Sequence, residues 1–168
     1  MLDKLDTVDI RSEWKHEAND FTKWLALPEN LSLLGDEIGI SMNALQTEAK
    51  VGPFAADILA EEEHTGKKVI IENQLEASDH DHLGKLITYA SGFDAGFLIW
   101  ICRDLREEHR KAIDWLNERT GSELNVFAIK MELWKIGDSL PAAKFHVGGY
   151  DELNALDQEG KLDPMLAS

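Results

Sequence analysis

The chain has 168 residues, 43% hydrophobic and 29% charged, which suits one domain with a sizeable core. Its formal charge of −15, from 32 acids against 17 Lys and Arg, excludes a general basic surface for nucleic acid, though not a local cationic groove or a partner protein that supplies one. No apolar run reaches the length of a membrane span, and the opening MLDKLDTVDIRSEW lacks the apolar core of a secretory signal, so a cytoplasmic location is expected.

In chain order, residues 14–35 predict a helix and then a shorter one. Trp14, Ala18, Phe21 and Leu25 form an amphipathic stripe that Pro28 interrupts, and Leu31 and Leu34 resume it before a stop at Gly35. Residues 38–50 read as extended. Residues 54–62 and 67–75 read as paired strands about a turn at EHTG, 63–66. A helix over 79–92 follows, with Ser78 and Asp81 resembling a capping box and Gly92 as its stop. FLIWI, 97–101, is apolar throughout, as a strand buried on both faces would be. Residues 105–118 make another helix, ended near Gly121. Phe127, Ile129, Met131 and Leu133 alternate with polar residues as a half-exposed strand, and AKFHV, 143–147, reads as an edge strand. The expected domain is 1–148, with 149–168 an acidic tail or the stub of a further domain.

The order α–β–β–β–α–β–α–β–β predicts an α/β fold: a mixed central sheet flanked by helices, with strands 67–75 and 97–101 parallel through a crossover helix. A hairpin turn centred between His64 and Thr65 would place Asp57 directly opposite Glu72 on the neighbouring strand. Two carboxylates that close repel unless one takes a proton or a cation sits between them. A divalent cation with hard oxygen ligands, Mg²⁺ above all, is the simplest relief. Gln74 shares a strand face with Glu72. On the next helix His82, Lys85 and Tyr89 form a polar stripe able to overhang that edge, where a lysine and a phenol can hold a phosphate.

Asp57, Glu72-x-Gln74 and a helical Lys85-x-x-x-Tyr89 together resemble the PD-(D/E)XK phosphodiesterase superfamily, whose αβββαβ core is similar in order to residues 14–101. The helical element resembles the Gln-x-x-x-Tyr motif of its recombination-exonuclease branch. WKHEANDFTKWL with IIENQLEASDHDHLGKLITYASG also resembles an uncharacterised bacterial family placed in that superfamily, to about residue 148. The resemblance implies a restriction-endonuclease-like core and metal-dependent hydrolysis of DNA or another nucleic acid. It implies Asp57, Glu72 and the backbone carbonyl of Asn73 as ligands of Mg²⁺ or Mn²⁺, with Glu17 acting through water and Glu48 a rival for that role. Water activated at the metal would be the nucleophile of an in-line displacement. The sequence departs from the pattern twice. Gln74 stands where a lysine is usual and supplies neither charge nor a general base, and Lys85 stands where glutamine is usual, which returns a positive charge beside the phosphate. The other reading is a catalytically inactive nuclease-fold module that mediates protein interaction or regulation. A homodimer is compatible with either.

Other residues read as structural. Cys102, the lone cysteine, is expected to be a buried, inert thiol. Asp79, His80, Asp81 and His82 lack the further Cys or His of a tetrahedral zinc set. His109 lies in line with Ala112, Ile113 and Leu116 as a core-edge histidine, Trp14, Trp24, Trp100, Trp115 and Trp134 as core, and Glu61, Glu62 and Glu63 as a solvated turn flank. Arg103, Arg106 and Arg110 read either as a phosphate track or as a salt-bridged helix face.

Overall fold

Val69–Ile71 and Leu98–Ile101 are apolar without interruption because helices cover both faces of the sheet at this point. The computed structural model describes residues 1–16 and 20–148. They form β1 (Leu5–Val8), α1 (Ile10–Glu13), α2 (Thr22–Ala26), α3 (Pro28–Ile38), β2 (Met42–Val51), β3 (Phe54–Glu62), β4 (Lys68–Ala77), α4 (His80–Phe93), β5 (Phe97–Asp104), α5 (Glu107–Thr120), β6 (Asn125–Ile136) and β7 (Ala142–Val147). The sheet runs β1-β6-β5-β4-β3-β2, with β7 also paired to β6. Strands β4, β5 and β6 are mutually parallel, linked by α4 and α5, and every other pairing is antiparallel. The fold is α/β with a mixed central sheet flanked by helices, as expected.

Alternation along the strands divides the core in two. Ile58, Val69, Ile71, Ile99, Ile101 and Met131 meet Phe21, Leu25, Leu31 and Leu34 of the N-terminal helical segment. On the other face Ile70, Leu98, Trp100 and Val126 meet Leu86 and Tyr89 of α4 and Ile113 of α5. Each such aliphatic side chain, fully buried, contributes about 1.5–3 kcal/mol relative to exposure.

The N-terminal helices differ from the expected pair. Trp14 is extended where it ends α1, and α2 has only five residues. Phe21 and Leu25 are buried as the stripe requires, while Ala18 lies outside the described residues. The second helix is the longer one. Pro28 opens α3, where a missing N–H costs nothing, and α3 runs through Gly35 to a left-handed Gly39, φ 79°. Gly35 serves close packing instead: a Cβ there would lie 2.4 Å from the Ile40 carbonyl oxygen.

Further corrections concern smaller features. Asp79, not Ser78, caps α4, its carboxylate accepting the His82 N–H. Gly92 lies inside α4, where a Cβ would meet Val51 Cγ1 at 2.6 Å, and the left-handed stop is Asp94. Glu62 is not solvated: it is 5% exposed, and its carboxylate closes the EHTG turn by accepting from the N–H groups of His64 and Thr65 and from the Thr65 hydroxyl. Of the tryptophans, Trp115 is 55% exposed, with the Arg119 guanidinium 5.5 Å from its ring centroid. Cys102 is buried, and burial pushes its thiol up to about 12. Strand β1 has no counterpart in the expected order, because four residues carry too little alternation to mark a strand. Residues 149–168, the expected tail, lie outside the described residues.

Candidate metal centre

The β3–β4 ladder pairs Ile58 with Ile71, Leu59 with Ile70, Ala60 with Val69 and Glu61 with Lys68. Asp57 and Glu72 are the next positions in this register, where the ladder stops. The Asn73 N–H turns to the side chain of Asp57 instead, donating to Oδ2 at 2.7 Å. Glu72 is 2% exposed. Burial first, and then the Asp57 carboxyl hydrogen-bonded to it, push its pKa up to about 10; nearby Lys85 pulls the other way. At neutral pH Glu72 therefore keeps a proton that holds the two carboxyls together.

A third acid approaches from β2. Thr47 pairs with Ile58 and Ala49 with Ala56, which leaves Glu48 facing Asp57 across the β2–β3 pair. Burial and then Asp57 raise its pKa. Glu48 holds φ 51°, a left-handed conformation that costs a residue with a Cβ on the order of 1 kcal/mol. Glu17, the other candidate, lies outside the described residues.

The donor set fits a hard divalent cation. Replacing the shared proton by Mg²⁺ or Mn²⁺ would remove the conflict between Asp57 and Glu72 with oxygen ligands alone. Among the described residues no group of three or more His, Cys, Asp or Glu encloses a metal position.

Lys85 and Tyr89 stand beside this pair on α4. The Lys85 ammonium is 3.2 Å from Asp81, and Asp81 and Glu72 both favour its charged form. Tyr89 is buried, and burial and then Glu72 raise its pKa, so its hydroxyl remains a proton donor. Both line an open groove of about 320 Å³ together with Phe54, His80, Asp81, Gly84 and Thr88.

Asn73 and Gln74 are committed to other partners. Asn73 Nδ2 donates to Thr22 Oγ1 at 2.7 Å, on the side of the sheet that carries α2, while Asn73 Oδ1 is buried without a partner among the described residues. Gln74 Nε2 donates to the Ala77 carbonyl at 2.7 Å and to Asp79 Oδ2 at 2.8 Å, and Gln74 Oε1 accepts from Trp100 Nε1 at 3.1 Å. Both amide protons are used, so Gln74 ties the end of β4 to the start of α4 and is not presented to the groove. Replacing it with Leu strands the buried Trp100 N–H and should cost about 1–3 kcal/mol. A thermal melt should show this as a drop of several degrees.

No protein-family model and no curated protein matches the sequence. Among solved structures the chain is similar to a repair endonuclease from Pyrococcus abyssi, at 16% identity and a TM-score of 0.48, covering 72% of this chain and 47% of that one. It is also similar to EndoMS in a complex with double-stranded DNA, at 17% identity and a TM-score of 0.44, covering 61% of this chain and 42% of that one. The chain thus spans less than half the length of either.

A second polar network, which the sequence does not announce, borders the groove. Ser78 Oγ accepts the Arg106 N–H at 2.8 Å and lies 2.7 Å from His109 Nδ1, and His109 Nε2 lies 2.8 Å from His80 Nδ1. These contacts form one hydrogen-bonded chain from Arg106 through Ser78 and His109 to His80. His80 ends this chain beside the groove. Burial and then His80 lower the pKa of His109, which keeps it neutral. The only sequence signal was the position of His109 on an apolar stripe, which names no partner. The neighbouring polar residues separate: His82 bonds Asp79, and Asp81 pairs with Lys85. Among the arginines, Arg103 pairs with Asp104, Arg106 Nε donates to the Ser78 carbonyl, and Arg110 bridges Glu107 and Asp114.

Proposed function

We propose that the protein is a metal-dependent phosphodiesterase acting on DNA or another nucleic acid. The observation that carries this reading is the Asp57–Glu72 pair, held in register at the end of the β3–β4 ladder with Lys85 and Tyr89 alongside. The sequence resemblance to the PD-(D/E)XK superfamily points the same way. Asp57, Glu72 and the Asn73 carbonyl would hold Mg²⁺ or Mn²⁺, with Glu48 or Glu17 acting through water.

When bound, the cation supplies Lewis-acid stabilisation of phosphate charge and makes water more acidic. The Asn73 N–H orients Asp57 by fixing one carboxylate oxygen. Lys85 neutralises charge that develops on the phosphate, a task Gln74 cannot perform. Tyr89, protonated at neutral pH, donates a hydrogen bond there.

One observation favours a second reading, an inactive nuclease-fold module that binds a protein partner. Gln74 occupies the usual lysine position and is fully engaged in structural bonds. Incubation with single- and double-stranded DNA and RNA, with and without Mg²⁺ or Mn²⁺, separates the two. The enzyme reading expects metal-dependent cleavage. Intact substrates throughout would leave the binding module. A net charge of −15 suggests that a partner protein contributes basic surface in the cell. Among the described residues no helix is long and apolar enough to cross a membrane.

A further inference from the structure

Phe54 is a large aromatic side chain left 54% exposed, and it lines the groove with His80, Lys85 and Tyr89. It opens β3 immediately after the turn through Gly52, φ 58°, and Pro53. The tip of this hairpin is braced, because Val51 sits against Gly92 of α4 where any Cβ would clash. Phe54 is therefore presented from a fixed position. Asp57 lies three residues further along the same strand, about 10 Å away.

Resting on the phosphodiesterase reading, we infer that the β2–β3 hairpin tip is a stacking platform for an unpaired base, so that the groove takes single-stranded polynucleotide. A paired base inside a duplex has both faces covered by its neighbours, whereas an unpaired base offers a face to an aromatic ring. Electrostatics alone cannot hold a polyanion here. The chain carries −15, and among the described residues Lys85 is the one Lys or Arg lining the groove, where Asp81 stands beside it. An exposed i,i+4 ion pair is weak, so a phosphate can displace Asp81 from Lys85. The His80 imidazole adds a polar group to the groove wall. Stacking on Phe54 supplies affinity that does not depend on net charge, and the groove volume of about 320 Å³ suits one nucleotide.

The test titrates the full chain into short single strands carrying 2-aminopurine at successive positions, without divalent metal. It compares wild type, Phe54→Ala and Phe54→Trp, and follows cleavage of single strand and duplex with Mg²⁺ in parallel. Wild type and Phe54→Trp should quench one position strongly. Phe54→Ala should lose that quenching and bind single strands roughly tenfold more weakly, with an unchanged melting temperature because the ring is exposed. Quenching and affinity that survive in Phe54→Ala overturn the platform, as does a wild-type protein that binds no single strand. Loss of quenching in Phe54→Ala with no cleavage by wild type keeps the platform and removes the phosphodiesterase reading.

Discussion

Glu72→Gln should stabilise the metal-free protein and abolish metal-dependent cleavage. In the folded chain Glu72 holds its proton until about pH 10, against an ordinary value of 4.5. Between those values the unfolded chain releases that proton and the folded chain keeps it. The contribution of this group to stability is therefore complete below about pH 4.5 and declines as pH rises towards 10. Glutamine keeps a hydrogen-bond donor beside Asp57 and has no charge to desolvate. At pH 8 the gain should be on the order of 2 kcal/mol or more, since one unit of pKa is worth about 1.4 kcal/mol. Melting should rise by roughly 4–8 °C. Near pH 4 the two proteins should melt together. Cleavage should fall by about 10³-fold or more, because a ligand to the charge-stabilising cation is lost. A substitution that stabilises the fold and removes activity is what a site holding unfavourable charge predicts, and a purely structural carboxyl does not behave so.

Lys85→Ala should lower cleavage by about 10²-fold or more while leaving metal affinity within a few-fold. Its ammonium is close enough to Glu72 for each to favour the charge of the other, yet among the described residues it pairs directly with Asp81 alone, at the surface. Removing it costs little stability, within about 0.5 kcal/mol, so a rate loss reports on chemistry. Lys85→Arg should restore part of the rate. Cleavage unchanged in Lys85→Ala would show that the charge missing at Gln74 is not recovered from α4.

The hairpin that carries the carboxylates was legible because its information is local. The EHTG turn and the two strands beside it set a register, and register alone places Asp57 across from Glu72. The uninterrupted apolar run of 97–101 likewise marked β5 as covered on both faces. What stayed hidden depends on contacts between layers. Gln74 and Glu72 share a strand face by parity, but parity does not say that Trp100 and Asp79 will claim the amide. Ser78 looked like a helix cap and instead serves His109, 31 residues away. Glycine was read as punctuation at 35 and 92, where it provides room for Ile40 and Val51. The N-terminal helix shows the same limit, since a stripe of 3.6-residue period does not announce that Trp14 leaves the helical conformation.

The most direct test of the metal centre is calorimetric titration of Mn²⁺ or Mg²⁺ into the metal-free protein at pH 7.5, in buffers of different ionisation enthalpy. Cation and proton compete for the Asp57–Glu72 pair, so binding should release close to one proton per metal and tighten as pH rises. Glu72→Gln should release none and bind far more weakly. Metal binding without proton release, or unchanged in Glu72→Gln, would contradict the assignment.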